Sequence, residues 1–181
     1  MTQFNPLANH PDPGSVRTGR DARLLFRDPA STPFLQTTGM APGFMQASPI
    51  ILPGELALDF ATFCQRNPKP CPLVATSNRG SPTLPTLGDD LDLRSDLGGY
   101  RIWRHGELVE EVTGIGELWR DDFVGFAVGC SYSFEDALVR DGIEVRHISQ
   151  GVCVPMYMTN VPLEPSGPFA GRMCVTMRPM T

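Results

Sequence analysis

Proline punctuates this chain so often that long helices have nowhere to run. It occurs 18 times in 181 residues and is matched by 18 glycines. Each proline fixes φ and removes a backbone donor, so an unusual share of the chain must be turns, loops and extended backbone. The densest case is Asn67-Pro68-Lys69-Pro70-Cys71-Pro72. The residue before a proline is pushed out of the α region, so any helix arriving here stops at Asn67.

Enough apolar residue remains to build a core. Hydrophobic residues make up 41% and charged residues 19%, which places the chain in the ordinary globular class rather than among disordered sequences. The formal charge is −5 and Lys69 is the single lysine. With no cationic cluster, neither nucleic acid nor an anionic membrane is an expected partner. The positive charge is almost all arginine, which suits a bidentate grip on carboxylate or phosphate and also follows from genome composition alone. Cys64, Cys71, Cys130, Cys153 and Cys174 form an odd set with no CxxC spacing and no zinc-type Cys/His pairing. They signal neither a disulfide framework nor a structural metal, and are expected to be reduced thiols. The first residues lack a basic start followed by an apolar run, and a cytoplasmic location is expected.

Local patterns outline the elements. Residues 1–38 carry Pro6, Pro11, Pro13, Pro29 and Pro33 and read as an arm with one helical turn around Arg23 to Phe26. Residues 39–181 read as the core. A strand is expected over Gln46 to Leu52, then a helix opened by Pro53 that buries Leu56, Phe60, Phe63 and Cys64. A short strand, Leu73 to Thr76, precedes a loop running from Ser77 to Gly99. Residues 100–112 alternate on both flanks of Arg104-His105-Gly106, a hairpin signal. Spacing predicts a helix over Gly116 to Val128 with Leu118, Trp119, Phe123, Phe126 and Ala127 on one side. A further helix is expected from Ser133, capped by that serine and Asp136, to Asp141-Gly142. Strand-like pieces follow at Ile143 to Ile148, Val152 to Tyr157 and Met173 to Met177. Strands and helices so intermixed favour a layered α/β or α+β fold around a mixed sheet.

Three groups of residues carry candidate chemistry. Gln65, Arg66 and Asn67, fixed by the prolines behind them, either hold a substrate carboxylate or satisfy the carbonyls at the helix end. Arg120, Asp121 and Asp122 offer two carboxylates beside a guanidinium, the ingredients of acid and base roles, or a solvated surface. Next to them in sequence, Cys130 and Ser131 precede a helix start with Glu135 in its first turn, where unpaired N–H groups stabilise an oxyanion. The competing reading makes Cys130 a small core residue and Ser131 a turn former. Arg146, His147, Tyr157 and Asn160 form the third group. His147 is the one histidine in a strand-like setting, suited to a base or donor role and also to a satisfied structural one. No phosphate loop, G-x-S-x-G elbow or H-E-x-x-H motif is present, so no nucleotide cofactor and no zinc-protease chemistry are expected.

The strings FCQRNPKPCP (Phe63 to Pro72), LWRDDFVGFAVGCSYSFEDAL (Leu118 to Leu138) and RHISQGVCVPMYMTN (Arg146 to Asn160) resemble the hydro-lyase and D-glutamate cyclase family, from about Gly39 to Pro179. The resemblance implies a lyase that expels water from a small carboxylate or amino-acid substrate, with cyclisation of D-glutamate to 5-oxo-D-proline as the characterised activity. It also implies a layered α/β architecture with a smaller inserted α+β portion, about residues 90–150. Carried onto this sequence, Arg66, Arg120 and Arg146 would clamp carboxylate, Asp121 or Glu135 would take a proton from the amine, and Cys130 with Ser131 would form the oxyanion corner. A divalent metal stays open as a cofactor, with no ligand set to name. The sequence departs from the family at Cys153, where asparagine is usual, and before Gly39. Related chains continue beyond the equivalent of Arg178-Pro179, so self-association through exposed family interfaces is expected. The alternative reading is a non-catalytic carboxylate-binding or regulatory protein.

Overall fold

In the computed structural model the described residues are 15–28 and 37–180; the remainder of the expected N-terminal arm lies outside them. The fold is mixed α/β. Helix α1, Gly19–Arg27, is longer than the one turn expected, because Thr18 and Asp21 close a full capping box at its start. Strand β1 spans Ala47–Pro53, and α2 spans Gly54–Arg66 and stops at Asn67 as the proline rule requires. Strand β2 is Leu73–Thr76; β3, Tyr100–Arg104, and β4, Glu107–Val112, form the expected hairpin. Its turn residues His105 and Gly106 have φ of 51° and 83°, the left-handed values that a tight two-residue hairpin turn demands.

The helix expected over Gly116 to Val128 is instead a single 3₁₀ turn, Gly116–Leu118, followed by strand β5, Phe123–Gly129. Short continuous apolar runs do not distinguish a buried helix from a central strand, and here the strand wins because β5 is sandwiched. It pairs antiparallel with β1 on one edge and β2 on the other. Its Val124 and Phe126 pack against Phe60, Phe63 and Cys64 of α2. The Phe60 ring meets those of Phe126 and Phe169 edge-on, at 4.9 and 5.1 Å between centroids. Ala127, on the opposite face, packs with Leu84 and Leu93 from the 77–99 loop. Gly125 leaves room there, since an added Cβ would collide with Leu93 Cδ1. The main sheet therefore has α2 on one face and an ordered loop on the other. It includes a strand from the middle of the 90–150 segment together with two strands from before it.

Other local expectations shift for equally local reasons. Ser133 does not cap a helix: its hydroxyl accepts the Gln46 N–H at 2.8 Å and donates to the Gln46 carbonyl at 3.2 Å, stitching the start of β1 to a 3₁₀ turn, Ser131–Phe134. Helix α3 begins at Glu135 and ends at Arg140. It closes in a Schellman arrangement, with Gly142 N–H to Val139 O and Ile143 N–H to Leu138 O, and Gly142 at φ 77°. The strand expected over Ile143 to Ile148 is instead a one-turn helix, α4, Arg146–Ser149. Val145 and His147 are buried while Glu144 and Arg146 are exposed, an alternation that a short helical turn satisfies as well as a strand. Strand β6, Met156–Pro162, starts later than expected, and β7 spans Arg172–Thr176. All strand pairs among the described residues are antiparallel, in three small sheets rather than one mixed sheet. Short returns account for β3–β4 and β6–β7, whereas β5 pairs with β1 and β2 across long connections.

Candidate functional site

One buried cluster gathers residues from three separate parts of the chain. Glu135 opens α3, His147 sits in α4, and Arg178 follows β7. Their side chains are only 4%, 2% and 4% exposed. Arg178 directs Nε, at 2.9 Å, and Nη2, at 2.5 Å, onto the same carboxylate oxygen, Glu135 Oε1. Its remaining reach goes to Ser131 Oγ, 3.1 Å from Nη2, and to Thr176 Oγ1. Ser131 and Thr176 hydroxyls also bond each other at 3.2 Å. The guanidinium lies over the Phe134 ring, 4.8 Å from its centroid, and over Tyr132 at 5.8 Å, so aromatic faces hold the cation in place.

This arrangement leaves polar atoms unmatched. His147 Nε2 approaches Glu135 Oε1 to 3.0 Å, yet off the line that an N–H···O bond needs. Neither imidazole nitrogen has a hydrogen-bond partner, and Glu135 Oε2 has none. Buried carboxylate and imidazole atoms without partners are uncommon and costly, about 1–3 kcal/mol each. The Tyr132 ring flanks that of His147 at 6.3 Å. Burial pushes the Tyr132 hydroxyl up to about 12, and its Oη lies 4.0 Å from Cys153 Sγ. A hollow of about 40 Å³ is lined by Glu144, Arg146, Pro179 and Met180. Arg146 and Pro179 are the sequence neighbours of His147 and Arg178, so the hollow lies against the segments that carry the cluster.

Of the residues singled out from sequence, Ser131, Glu135 and His147 converge, with Cys130 one residue away and Arg146 at the hollow. The backbone around Cys130 is engaged rather than open: its N–H bonds the Gln46 carbonyl at 2.9 Å and its carbonyl accepts the Ser133 N–H at 3.2 Å. Helix α3 starts four residues later than Ser131, so the expected helix-start oxyanion corner is not formed there. Gln65, Arg66, Asn67, Arg120, Asp121, Tyr157 and Asn160 make no polar contact with Glu135, His147 or Arg178. Arg66 donates to the Pro165 carbonyl at 2.5 Å. Asn67 is buried and locks the 163–166 loop, donating to Phe63 and Glu164 carbonyls, both at 2.8 Å, and accepting the Glu164 N–H at 2.9 Å. Asn67 plays the helix-end role at the Phe63 carbonyl, whereas Arg66 reaches the 163–166 loop instead.

Arg120 pairs with Asp122 at 2.8 Å and covers the Phe123 ring; the hydrogen bond from Arg120 holds the Asp122 carboxyl below its ordinary range. Asp121, Tyr157 and Asn160 are exposed. Among the described residues no group of three or more His, Cys, Asp or Glu side chains is arranged to hold a metal ion. No helix there is long and apolar enough to cross a membrane. Arg178, Thr176 and Tyr132 escaped the sequence reading. Arg178 lies three residues from the end of the sequence, next to a proline and outside every recognisable motif. The available signal was indirect: an arginine just after a strand whose last residue, Thr176, is also polar.

A family model for D-glutamate cyclase matches residues 124–181, a range that holds Ser131, Glu135, His147, Thr176 and Arg178. The chain is 54% identical to a putative hydro-lyase of Methylobacterium sp. (strain 4-46), over 91% of this chain and 60% of that protein. It is 61% identical to a putative hydro-lyase of Jannaschia sp. (strain CCS1), over 80% of this chain and 54% of the relative. The relative from Bordetella petrii is 56% identical over the same shares. Over the stretch it shares with them, the chain is similar to these putative hydro-lyases, and its C-terminal part matches the D-glutamate cyclase family model. It spans little more than half the length of these relatives. The Methylobacterium match covers 164 residues, too many to begin at Gly39. The kinship therefore takes in α1, which the sequence reading had left outside it.

Proposed function

We propose that this chain carries the acid–base centre of a lyase that removes water from a small carboxylate substrate, with D-glutamate, giving 5-oxo-D-proline, as the substrate to test first. The observation that supports the reading is the buried Glu135, His147 and Arg178 cluster, with one carboxylate oxygen and both imidazole nitrogens unpartnered, inside the segment matched by the D-glutamate cyclase family model.

In lactam formation the substrate nitrogen bonds the side-chain carboxyl carbon, and one carboxyl oxygen leaves as water. An ammonium must lose two protons, and the departing oxygen must gain two. Glu135 Oε2 and the His147 imidazole accept the protons and return them to the leaving oxygen, so the net reaction is ammonium plus carboxylate giving amide plus water. Ser131 and Arg178, already sharing a hydrogen bond at 3.1 Å, supply donors for the negative charge that gathers on the tetrahedral intermediate. Arg146 at the hollow holds the substrate's other carboxylate. Incubation of the full chain with D-glutamate, following 5-oxoproline with and without a divalent metal, tests this. The expected result is turnover that a His147→Ala change lowers at least about 100-fold. No turnover by a folded sample overturns the reading.

A further inference from the structure

The β6–β7 ribbon has an open edge that nothing among the described residues covers. Its register sets Met156 opposite Thr176, Tyr157 opposite Val175 and Met158 opposite Cys174, and the Met177 N–H bonds the Pro155 carbonyl at 3.0 Å. Backbone groups alternate along an antiparallel strand, so Pro155 and Tyr157 direct theirs at β7 while Met156 and Met158 direct theirs outward. No described group outside the ribbon bonds the backbone of Met156 or Met158. Met156, Tyr157 and Met158 are 62%, 52% and 67% exposed, and residues 148–163 carry no Asp, Glu, Lys or Arg. A two-stranded ribbon is marginal on its own, and an apolar, uncharged open edge is a template for another strand. The edges of the main sheet are guarded against this, β1 by Pro49 and Pro53 and β2 by its length of only four residues. β6 has no such guard along Met156 to Met158.

We infer that a second copy of the chain occupies this edge, joined β6 to β6 across a two-fold axis at Tyr157. Antiparallel pairing about that point sets Met156 against the partner copy's Met158 and the reverse, so outward backbone groups meet outward backbone groups. Tyr157 then faces its own counterpart in a non-hydrogen-bonded pair, the closer of the two kinds, where aromatic side chains contribute. One sequence thus meets both halves of the requirement, which is the condition for an isologous dimer. Charge points the same way. The chain carries −5 overall, so two copies repel across most of their surfaces, and a contact centred on an uncharged stretch opposes no like charges. A strongly charged partner finds no counter-charge there. The association also bears on the buried cluster, because Thr176 lies opposite Met156 on β7 and Arg178 follows it; holding the ribbon holds the segment that carries both.

Light scattering on the full chain should show the mass double between about 1 and 100 µM. Hydrogen exchange over the same range needs no variant, so a variant that fails to fold leaves the test intact. The Met156 and Met158 amides should slow at least about 10-fold as the concentration rises, while the Tyr157 amide, already directed at β7, changes little. Met158→Pro removes an outward N–H without removing a bond to β7, and should weaken the dimer at least about 10-fold. Tyr157→Lys puts like charges on the axis and should do the same. Tyr157→Cys reads the register. In a non-hydrogen-bonded pair the two Cα atoms lie about 4.5 Å apart, within disulfide reach, so diamide should join two copies at that position. The parent chain, with its own cysteines, sets the background, and Val161→Cys, off the axis, should stay near it. A chain that remains monomeric to about 100 µM, or a dimer whose Met156 and Met158 amides exchange as in the monomer, overturns the inference. Protection of those amides with no crosslink at position 157 overturns the two-fold pairing.

Discussion

Two buried carboxylates of this protein, Asp96 and Glu135, are each gripped by an arginine, and they are gripped differently. Asp96 is fully enclosed, and both oxygens are used. Arg27 forks across them at 2.6 and 2.8 Å, Ser95 donates to one at 2.9 Å, and the Asp92 N–H donates to the other at 2.9 Å. Arg20 and Arg23 tie the same helix to Asp90 at 2.9 and 2.7 Å. This cluster clamps α1 to the 77–99 loop and leaves the Asp96 carboxylate no capacity for a ligand. Glu135 is almost as buried, yet all of its arginine contacts fall on one oxygen. Completed polar networks add rigidity, whereas incomplete ones cost stability and persist where another group meets them. At the carboxylates themselves the contrast separates a structural clamp from a candidate site, although the clamp also holds one buried atom without a hydrogen-bond partner, Arg23 Nε.

If that contrast is right, erasing each cluster with apolar residues has unequal consequences. The double change Arg27→Met with Asp96→Leu removes the charges but strands the Asp92 N–H and the Ser95 hydroxyl, which then lose their acceptor. A loss of about 3 kcal/mol is expected, measured as a shift in the urea midpoint at constant slope. A near-neutral result would break the comparison.

The packing beneath the clamp should be as unforgiving as its hydrogen bonds. Gly125→Ala puts a methyl group into Leu93, and a cost of about 2 kcal/mol is expected from overpacking. Gly171, just before β7, has no atom of the described residues within 4 Å of where a Cβ would lie. Gly171→Ala should therefore stay within about 0.5 kcal/mol of the parent.

Glu135→Leu with Arg178→Met should cost about 1 kcal/mol or less. The Ser131 and Thr176 hydroxyls keep each other as partners, and methionine can replace the cation's contact with Phe134 and Tyr132. The same double variant should lose detectable D-glutamate binding by calorimetry. A variant that is severely destabilised would make Glu135 a second clamp and remove the distinction.

The two clusters were also unequally legible in sequence. Glu135, Ser131 and His147 were visible because they sit in contiguous strings with chemically suggestive neighbours. Arg178 was not, because its role depends on β7 returning antiparallel to β6 and bringing residue 178 to α3, a contact across 43 positions. The α1 clamp was missed for the same reason: Arg27 and Asp96 are 69 positions apart, and neither lies in a motif. Helix α2 and the β3–β4 hairpin were readable from local rules, namely a proline stop and a turn with positive φ. Strand β5 was misread as a helix, because what makes it a strand is its burial between β1 and β2, which no window of its own residues reveals. Arg66 and Asn67 carried the right chemistry for a carboxylate site, but helix-end carbonyls and the 163–166 loop claim them first.

The smallest expected effect concerns the two tyrosines that belong to these regions. Burial raises the hydroxyls of both Tyr100, beside the clamp, and Tyr132, beside the site. Tyr100 is raised further, and its Oη donates to the Leu93 carbonyl at 2.9 Å, a bond that needs the proton. A tyrosine ionises near 10 in the unfolded chain, whereas folded Tyr132 is pushed up to about 12. Below pH 10 both states hold the proton and stability does not depend on it. Between pH 10 and 12 the unfolded state releases the proton while the folded state keeps it, so the unfolded state is favoured and stability falls as pH rises. Tyr132→Phe should flatten this part of the curve, seen as a smaller drop in urea midpoint between pH 9 and 11. Tyr100→Phe should flatten it too, but at the cost of the Leu93 hydrogen bond and hence a lower midpoint already at pH 8. If Tyr132→Phe leaves the drop between pH 9 and 11 as steep as in the parent, then another group carries it and the raised hydroxyl beside the candidate site is not its cause.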